Sequence, residues 1–282
     1  MATNNILDSV LAQYENSKQS GSSSASKMTQ DERMKKYFAA ILKDNEKQGQ
    51  KRLRILPTKD GSSPFKEVWY HEVQIDGKWN KIYDPGKNDN ERSPLTEIHD
   101  ELMSTGKESD KELAKSYKPR KFYIVKVIDR DNEQDGVKFW RFKHNYKNEG
   151  ILDKIIPIWR AKGDITDPKE GRDIILELTK AKTPKGAYYT VIQTVMYDDP
   201  SPVHKEKELG KSWVEDTMTW ADVYSKKPED YLEAIARGET PRWDSEKGGY
   251  VYGDSTESTE VMGGKTYNDP QSDSAPDEDL PF

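Results

Sequence analysis

Apolar and polar positions alternate with a period of two through the middle of the chain, which is the spacing of half-buried strands. KRLRILP (51–57) interleaves basic and apolar residues and is closed by Pro57. PFKEVWYHEVQIDGKWNKIY (64–83) predicts a hairpin around an Asp76-Gly77 turn. KFYIVKVID (121–129) and GVKFWRFK (136–143) predict a second hairpin across the polar loop RDNEQD. IIPIW (155–159), RDIILELTK (172–180) and AYYTVIQTVMY (187–197) read as further strands, the last two joined by the Pro/Gly turn KTPKG. SPLTEIHDELM (93–103) is the one helical interruption. Short strands at hairpin spacing predict a small antiparallel barrel or sandwich.

The flanks follow other rules. Residues 4–15, NNILDSVLAQYE, place Ile6, Leu7, Val10, Leu11 and Tyr14 at helical spacing behind capping candidates. So short a helix is marginal alone and is expected to dock on something. SKQSGSSSASK (17–27) is a Ser/Gly linker. In DERMKKYFAAILK, the residues Met34, Tyr37, Phe38, Ile41 and Leu42 fall on one helical face, although YFAAIL also suits an edge strand. After Pro200 the pattern turns helical: TWADVYSKK, then PEDYLEAIARG, with Pro at its start and Gly238 as its stop. From Gly253 onward Ser, Thr, Asp and Gly dominate, and disorder is expected. The expected organisation is a helical arm (1–16), a linker (17–29), a core (30–203), a helical appendage (204–250) and an acidic tail (251–282).

Composition narrows the function classes. Only 33% of the 282 residues are hydrophobic, so part of the length must lie outside any core. The absence of cysteine excludes disulfides and thiolate metal sites. No apolar run approaches a membrane span, and the opening MATNNILDSVLAQ lacks the features of a signal peptide, so an intracellular protein is expected.

The net charge of −6 is unevenly spread. Asp254–Phe282 carries eight acids and one lysine, whereas Lys115–Lys147 carries ten Lys/Arg against four acids. A basic middle and an acidic end suggest a polyanion site and a segment able to compete for it.

No catalytic pattern emerges. The histidines at 71, 99, 144 and 204 show no paired ligand spacing. The chain has no HExxH, no GxSxG elbow and no glycine-rich phosphate loop before a helix. A non-enzyme with no cofactor and no metal is expected. Basic and aromatic residues do interleave on the strands, and single-stranded nucleic acid needs that mixture: cations follow phosphates while aromatic faces stack on bases. Alternation divides the candidates. Phe139 and Arg141 must face one way, and Lys138, Trp140 and Phe142 the other.

RLRILPTKDGSSPF, then GKW, then the KFYIVKVID and GVKFWRF strands, resemble in order and spacing the core of the T-even phage helix-destabilising protein family. The resemblance runs from about Arg52 to Val203. It implies single-stranded DNA binding in replication, recombination and repair, in the cytoplasm of an infected bacterial host. It also implies a mainly β architecture: an OB-fold core with helical insertions and a positively charged cleft, an N-terminal arm for self-association along DNA, and an acidic C-terminal arm that recruits replication proteins. The family's best-known members hold zinc with one His and three Cys. Here the His position is kept as His71, but the Cys positions fall near Asp84, Ser93 and Thr96, which cannot replace thiolates, so no structural metal is expected. Residues 1–16 contain no Lys or Arg, so any self-association must use the apolar face of Ile6, Leu7, Val10 and Leu11. The ending DEDLPF resembles the tip of bacterial single-stranded DNA-binding proteins, whose terminal Pro-Phe docks on partner enzymes.

The expected phosphate contacts are Arg52, Arg54, Lys118, Arg120, Lys121, Arg141 and Lys143, and the expected stacking residues are Tyr123, Trp140, Trp159 and Tyr188. The expected partner-binding tip is Asp277, Glu278, Asp279, Leu280, Pro281 and Phe282. Two alternatives stay open: a β-sandwich carbohydrate-binding or virion structural module, and an OB-fold protein that binds RNA.

Overall fold

A computed structural model describes residues 35–252, apart from 76, 147–148, 184–185, 224–225 and 245–248. The expected N-terminal arm, the linker, the tail and its tip lie outside the described residues.

The chain is mainly β, with an eight-stranded mixed sheet and helices around it. Its strands are β1 (Tyr37–Phe38), β2 (Gln48–Ile55), β3 (Lys66–Ile75), β4 (Lys78–Tyr83), β5 (Pro119–Asp129), β6 (Val137–Lys143), β7 (Arg172–Lys182) and β8 (Tyr188–Pro200). The order is β1-β6-β5-β2-β7-β8, with the β3–β4 hairpin attached to β5. All pairs are antiparallel except β1 with β6. The strand β5 changes partner along its length, pairing β3 through 119–124 and β2 through 127–129. Such branching lets one sheet present two differently covered faces.

Alternation assigns those faces. Tyr123, Val125, Val127, Trp140 and Phe142 point into a core completed by Leu53, Ile174 and Leu176 and by the helix Ile151–Lys162. The opposite residues Phe122, Ile124 and Phe139 join Val68, Tyr70 and Tyr83 in a second cluster against Met218 and Trp220. The β3–β4 hairpin follows from its turn. Gly77 takes φ 78°, a left-handed conformation that glycine adopts without a Cβ penalty, and the tight turn pairs Ile75 with Lys78 and so Glu72 with Lys81.

The helices are α1 (Pro85–Asp89), α2 (Pro94–Ser104), α3 (Glu108–Ala114), α4 (Ile151–Lys162), α5 (Lys207–Val214), α6 (Trp220–Val223) and α7 (Glu229–Ala236). A short hairpin of β9 (Arg242–Asp244) and β10 (Gly249–Val251) follows. The segment expected as the strand IIPIW is instead inside α4. Gly150 and Asp153 cap that helix, and Ile151, Ile155 and Ile158 form its buried stripe at helical spacing. Pro157 lies inside this helix on its exposed side, where the missing N–H disturbs no packing. Residues 37–38 form the edge strand β1, while Leu42 is buried in the first core.

Helices α5 and α7, expected as an appendage, contribute to buried clusters. Trp213 packs with Leu56, Ile128, Val137 and Val203. Tyr231, Leu232 and Ile235 pack with Val73, Ile82 and Leu95.

Three of the four positions considered for a metal meet as a hydrogen-bonded group. His71 and Asp84 are fully buried. His71 Nδ1 lies 2.6 Å from the Tyr117 carbonyl oxygen, which can only accept, so Nδ1 carries the proton. Its Nε2 faces Thr96 Oγ1 at 3.4 Å and Asp84 Oδ2 at 3.5 Å, and Thr96 Oγ1 donates to that carboxylate at 3.3 Å. Asp84 Oδ1 accepts from the Gly86 N–H at 2.9 Å and so caps α1. Burial opposes ionisation of Asp84, but the contacts from His71 hold its carboxyl below the usual range. Ser93 is buried at the N-cap position of α2. Hydrogen bonds and the buried Leu95 and Ala114 therefore tie the 84–119 insertion to β3.

Candidate nucleic-acid interface

The cations that meet on one face do so because of strand register. Glu72 on β3 stands opposite Lys81 on β4, and Tyr70 stands opposite Arg120 on β5. Arg141 and Lys143 of β6 pair with Ile124 and Phe122 of β5. Residues of one parity share a side, so Lys81, Arg120, Arg141 and Lys143 surround Glu72 at the border of the second cluster. Arg120 Nε is 3.1 Å from Glu72 Oε2, and Lys143 Nζ is 3.1 Å from Glu72 Oε1. Arg141 lies over three rings, 5.7 Å from Tyr37, 6.0 Å from Tyr70 and 5.6 Å from Phe122. Aromatic faces attract cations, which partly offsets the cost of enclosing a guanidinium.

The electrostatics record that crowding. Lys81 keeps some solvent contact yet is enclosed enough that burial, with repulsion from Arg141 and Lys143, pushes its ammonium down to about 6 despite Glu72. Burial likewise lowers Arg141, which remains charged. Burial alone would raise Glu72, but Lys143, Lys81 and Arg120 together hold its carboxyl below the usual range. Among the described residues this group sets one carboxylate against four basic side chains, which makes an anion-attracting face. Trp79 shares this parity on β4, two residues from Lys81, and is 50% exposed.

A second group lies on the other side of β5. Lys121 is 3.1 Å from Glu67 and lies over the Trp69 and Tyr123 rings at 6.0 and 5.6 Å. The Tyr123 hydroxyl meets His144 Nδ1 at 3.1 Å, and His144 packs edge-on against Tyr146, which is 71% exposed.

The remaining expected site residues separate into surface and core. Lys118 is exposed just before β5. Arg52 is exposed but paired with Asp198 at 3.1 Å, well along the sheet on β2. Tyr188 is 64% exposed beside Lys182 at the far end of β7–β8. Arg54 is fully buried, pairing with Asp173 at 3.1 Å and donating to the carbonyls of Asp167 and Ser201, so it is a structural cation rather than a phosphate contact. Trp140 is 2% exposed and fills the first core, as alternation requires of a residue out of phase with Arg141. Tyr123 is buried in that core with its hydroxyl meeting His144 at the rim, and Trp159 sits on α4 against Phe65 rather than on a strand. Trp140 and Tyr123 are packing residues rather than stacking residues, and Trp159 is half-buried against the same core. The tip residues Asp277–Phe282 lie outside the described residues.

Sequence reasoning missed Glu72, Lys81 and Trp79. The turn at Gly77 held the signal, because a two-residue turn fixes the cross-strand register that puts Lys81 opposite Glu72. A family profile described as gp32 DNA binding protein like matches residues 47–237, which span every element from β2 to α7. No curated protein matches the chain.

Proposed function

The chain belongs to the gp32-like DNA binding protein family, and on that footing we propose that it is a single-stranded DNA-binding protein of phage replication, recombination and repair. The observation that carries the reading is the grouping of Lys81, Arg120, Arg141 and Lys143 on one sheet face with Trp79 beside them. Phosphates follow the cations and bases stack on the exposed rings, an arrangement indifferent to base sequence. A duplex keeps its bases inside the stack, so only a single strand can use both kinds of contact. Lys118 extends that path just before β5, while Lys121 and Tyr146 offer a second cation and ring on the opposite side of the strand.

The sheet is read as an OB-type core whose bending is supported by the partner change along β5. The chain works without catalysis and without a cofactor. Residues 254–282, with net charge −7, compete with DNA for the basic face, and Leu280, Pro281 and Phe282 address a replication or recombination partner. Self-association along DNA runs through the N-terminal arm.

Competition among equal-length oligo(dT), the matched RNA and the matched duplex tests the reading. The single DNA strand is expected to displace a labelled oligo(dT) at the lowest concentration. Preference for RNA would move the assignment to an RNA-binding protein, and preference for duplex would overturn it.

A further inference from the structure

Glu72 is an unusual resident for a surface meant to hold phosphates. It stands on β3 within the basic group, its side chain only 12% exposed, and it accepts from Arg120 at 3.1 Å and from Lys143 at 3.1 and 3.3 Å. Its cross-strand neighbour is Lys81, and Arg141 faces the same group from β6 over Tyr37, Tyr70 and Phe122. A carboxylate held by an arginine and a lysine is the side-chain equivalent of a phosphate held by the same pair. We propose that Glu72 is the built-in counter-ion of an anion subsite made by Lys81, Arg120, Arg141 and Lys143, and that a backbone phosphate of the bound strand takes Arg120 and Lys143 from it. This rests on the reading of that face as the DNA site.

Two consequences follow from electrostatics. Without ligand, the carboxylate keeps four crowded basic groups compatible with the fold, so Glu72 lowers affinity while protecting the apo protein. With ligand, a second negative charge enters the same enclosure. Lys81, held down to about 6 by burial and by Arg141 and Lys143, then regains its proton. Among the described residues, the charged groups around Lys81 on β3, β5 and β6 are Glu72, Arg120, Arg141 and Lys143. The sign is fixed. A group whose pKa rises on binding favours the complex at low pH, so affinity falls as pH climbs from about 6 towards the bound-state value.

The test is isothermal calorimetry of the full chain with oligo(dT) near pH 7.5, in buffers of different ionisation heat, beside Glu72→Gln and Lys81→Met. Wild type should take up protons on binding, up to about one per bound subsite, and Lys81→Met fewer. Glu72→Gln should bind roughly three- to tenfold more tightly. Equal proton uptake in wild type and Lys81→Met would overturn the proposal, as would unchanged or weakened binding by Glu72→Gln. Should Glu72→Gln fail to fold, the proton count in the other two proteins still decides. Failure of the wild type to bind oligo(dT) at all would overturn the DNA reading together with this one, whereas tight binding indifferent to both substitutions would overturn this one alone.

Discussion

Arg54 and Arg120 carry the same guanidinium on strands of one sheet, and their surroundings divide their roles. Arg54 has no solvent contact, and its terminal nitrogens are committed to Asp173 and to the carbonyls of Asp167 and Ser201. Arg120 keeps about a quarter of its side chain exposed and, among the described residues, pairs with Glu72. Arg54→Ala should therefore cost about 3 kcal/mol of stability in urea unfolding, because it strips a buried ion pair, and it should leave oligo(dT) affinity intact below the transition. A stable Arg54→Ala protein that had lost DNA affinity would contradict this division. Lys81 gives a second prediction at this scale. Its folded value of about 6 lies below the ordinary 10.5, so folding releases a proton and stability rises with pH above about 6. The thermal midpoint of wild type should climb between about pH 6 and pH 9, and Lys81→Met should lose part of that climb; identical pH dependence in the two proteins would count against the enclosed lysine.

Helix α7 shows which contacts hold an element in place. Arg92 joins Glu97 of α2 to Glu229 and Glu233 of α7, but all four side chains are substantially exposed. Leu232 is buried with Tyr231 and Ile235 against Val73, Ile82 and Leu95. Leu232→Ala should cost about 2–5 kcal/mol, while Arg92→Ala should leave the urea midpoint nearly unchanged. The reverse ranking would mean that the ion pairs, not the apolar face, seat the helix. Elements with a strict period of two were legible in the sequence: the hairpins at 64–83 and 121–143 and the β7–β8 pair all form. Helix α4 was not, because a four-residue apolar run around a proline has no period of its own. Its stripe of Ile151, Ile155 and Ile158 becomes visible only when the window is widened past the proline.

For the molecule, charge was easier to read than geometry. The excess of cations in Lys115–Lys147 pointed to β5 and β6, and Arg120, Arg141 and Lys143 do converge there. What a linear reading could not supply was depth. Arg54, Tyr123 and Trp140 have the right chemistry but face the core, since burial depends on which elements cover each side of the sheet. Lys81 and Glu72 belong to the face only through the β3–β4 register. The acidic segment 254–282 adds a prediction at this scale: its removal should raise oligo(dT) affinity most at low salt, where screening is weakest, and no change would remove tail competition.

The basic face is tested most directly by tryptophan fluorescence titration with poly(dT) across a salt series, comparing wild type with the double variant Arg120→Ala/Lys143→Ala. Lys81, Lys118, Arg120, Arg141 and Lys143 as phosphate contacts imply a log–log salt slope near −3.5 at ~0.7 per contact, and the double variant should lose about 1.4 of it. A wild-type slope near zero, or a slope unchanged by the double substitution, would contradict the assignment of this face to DNA.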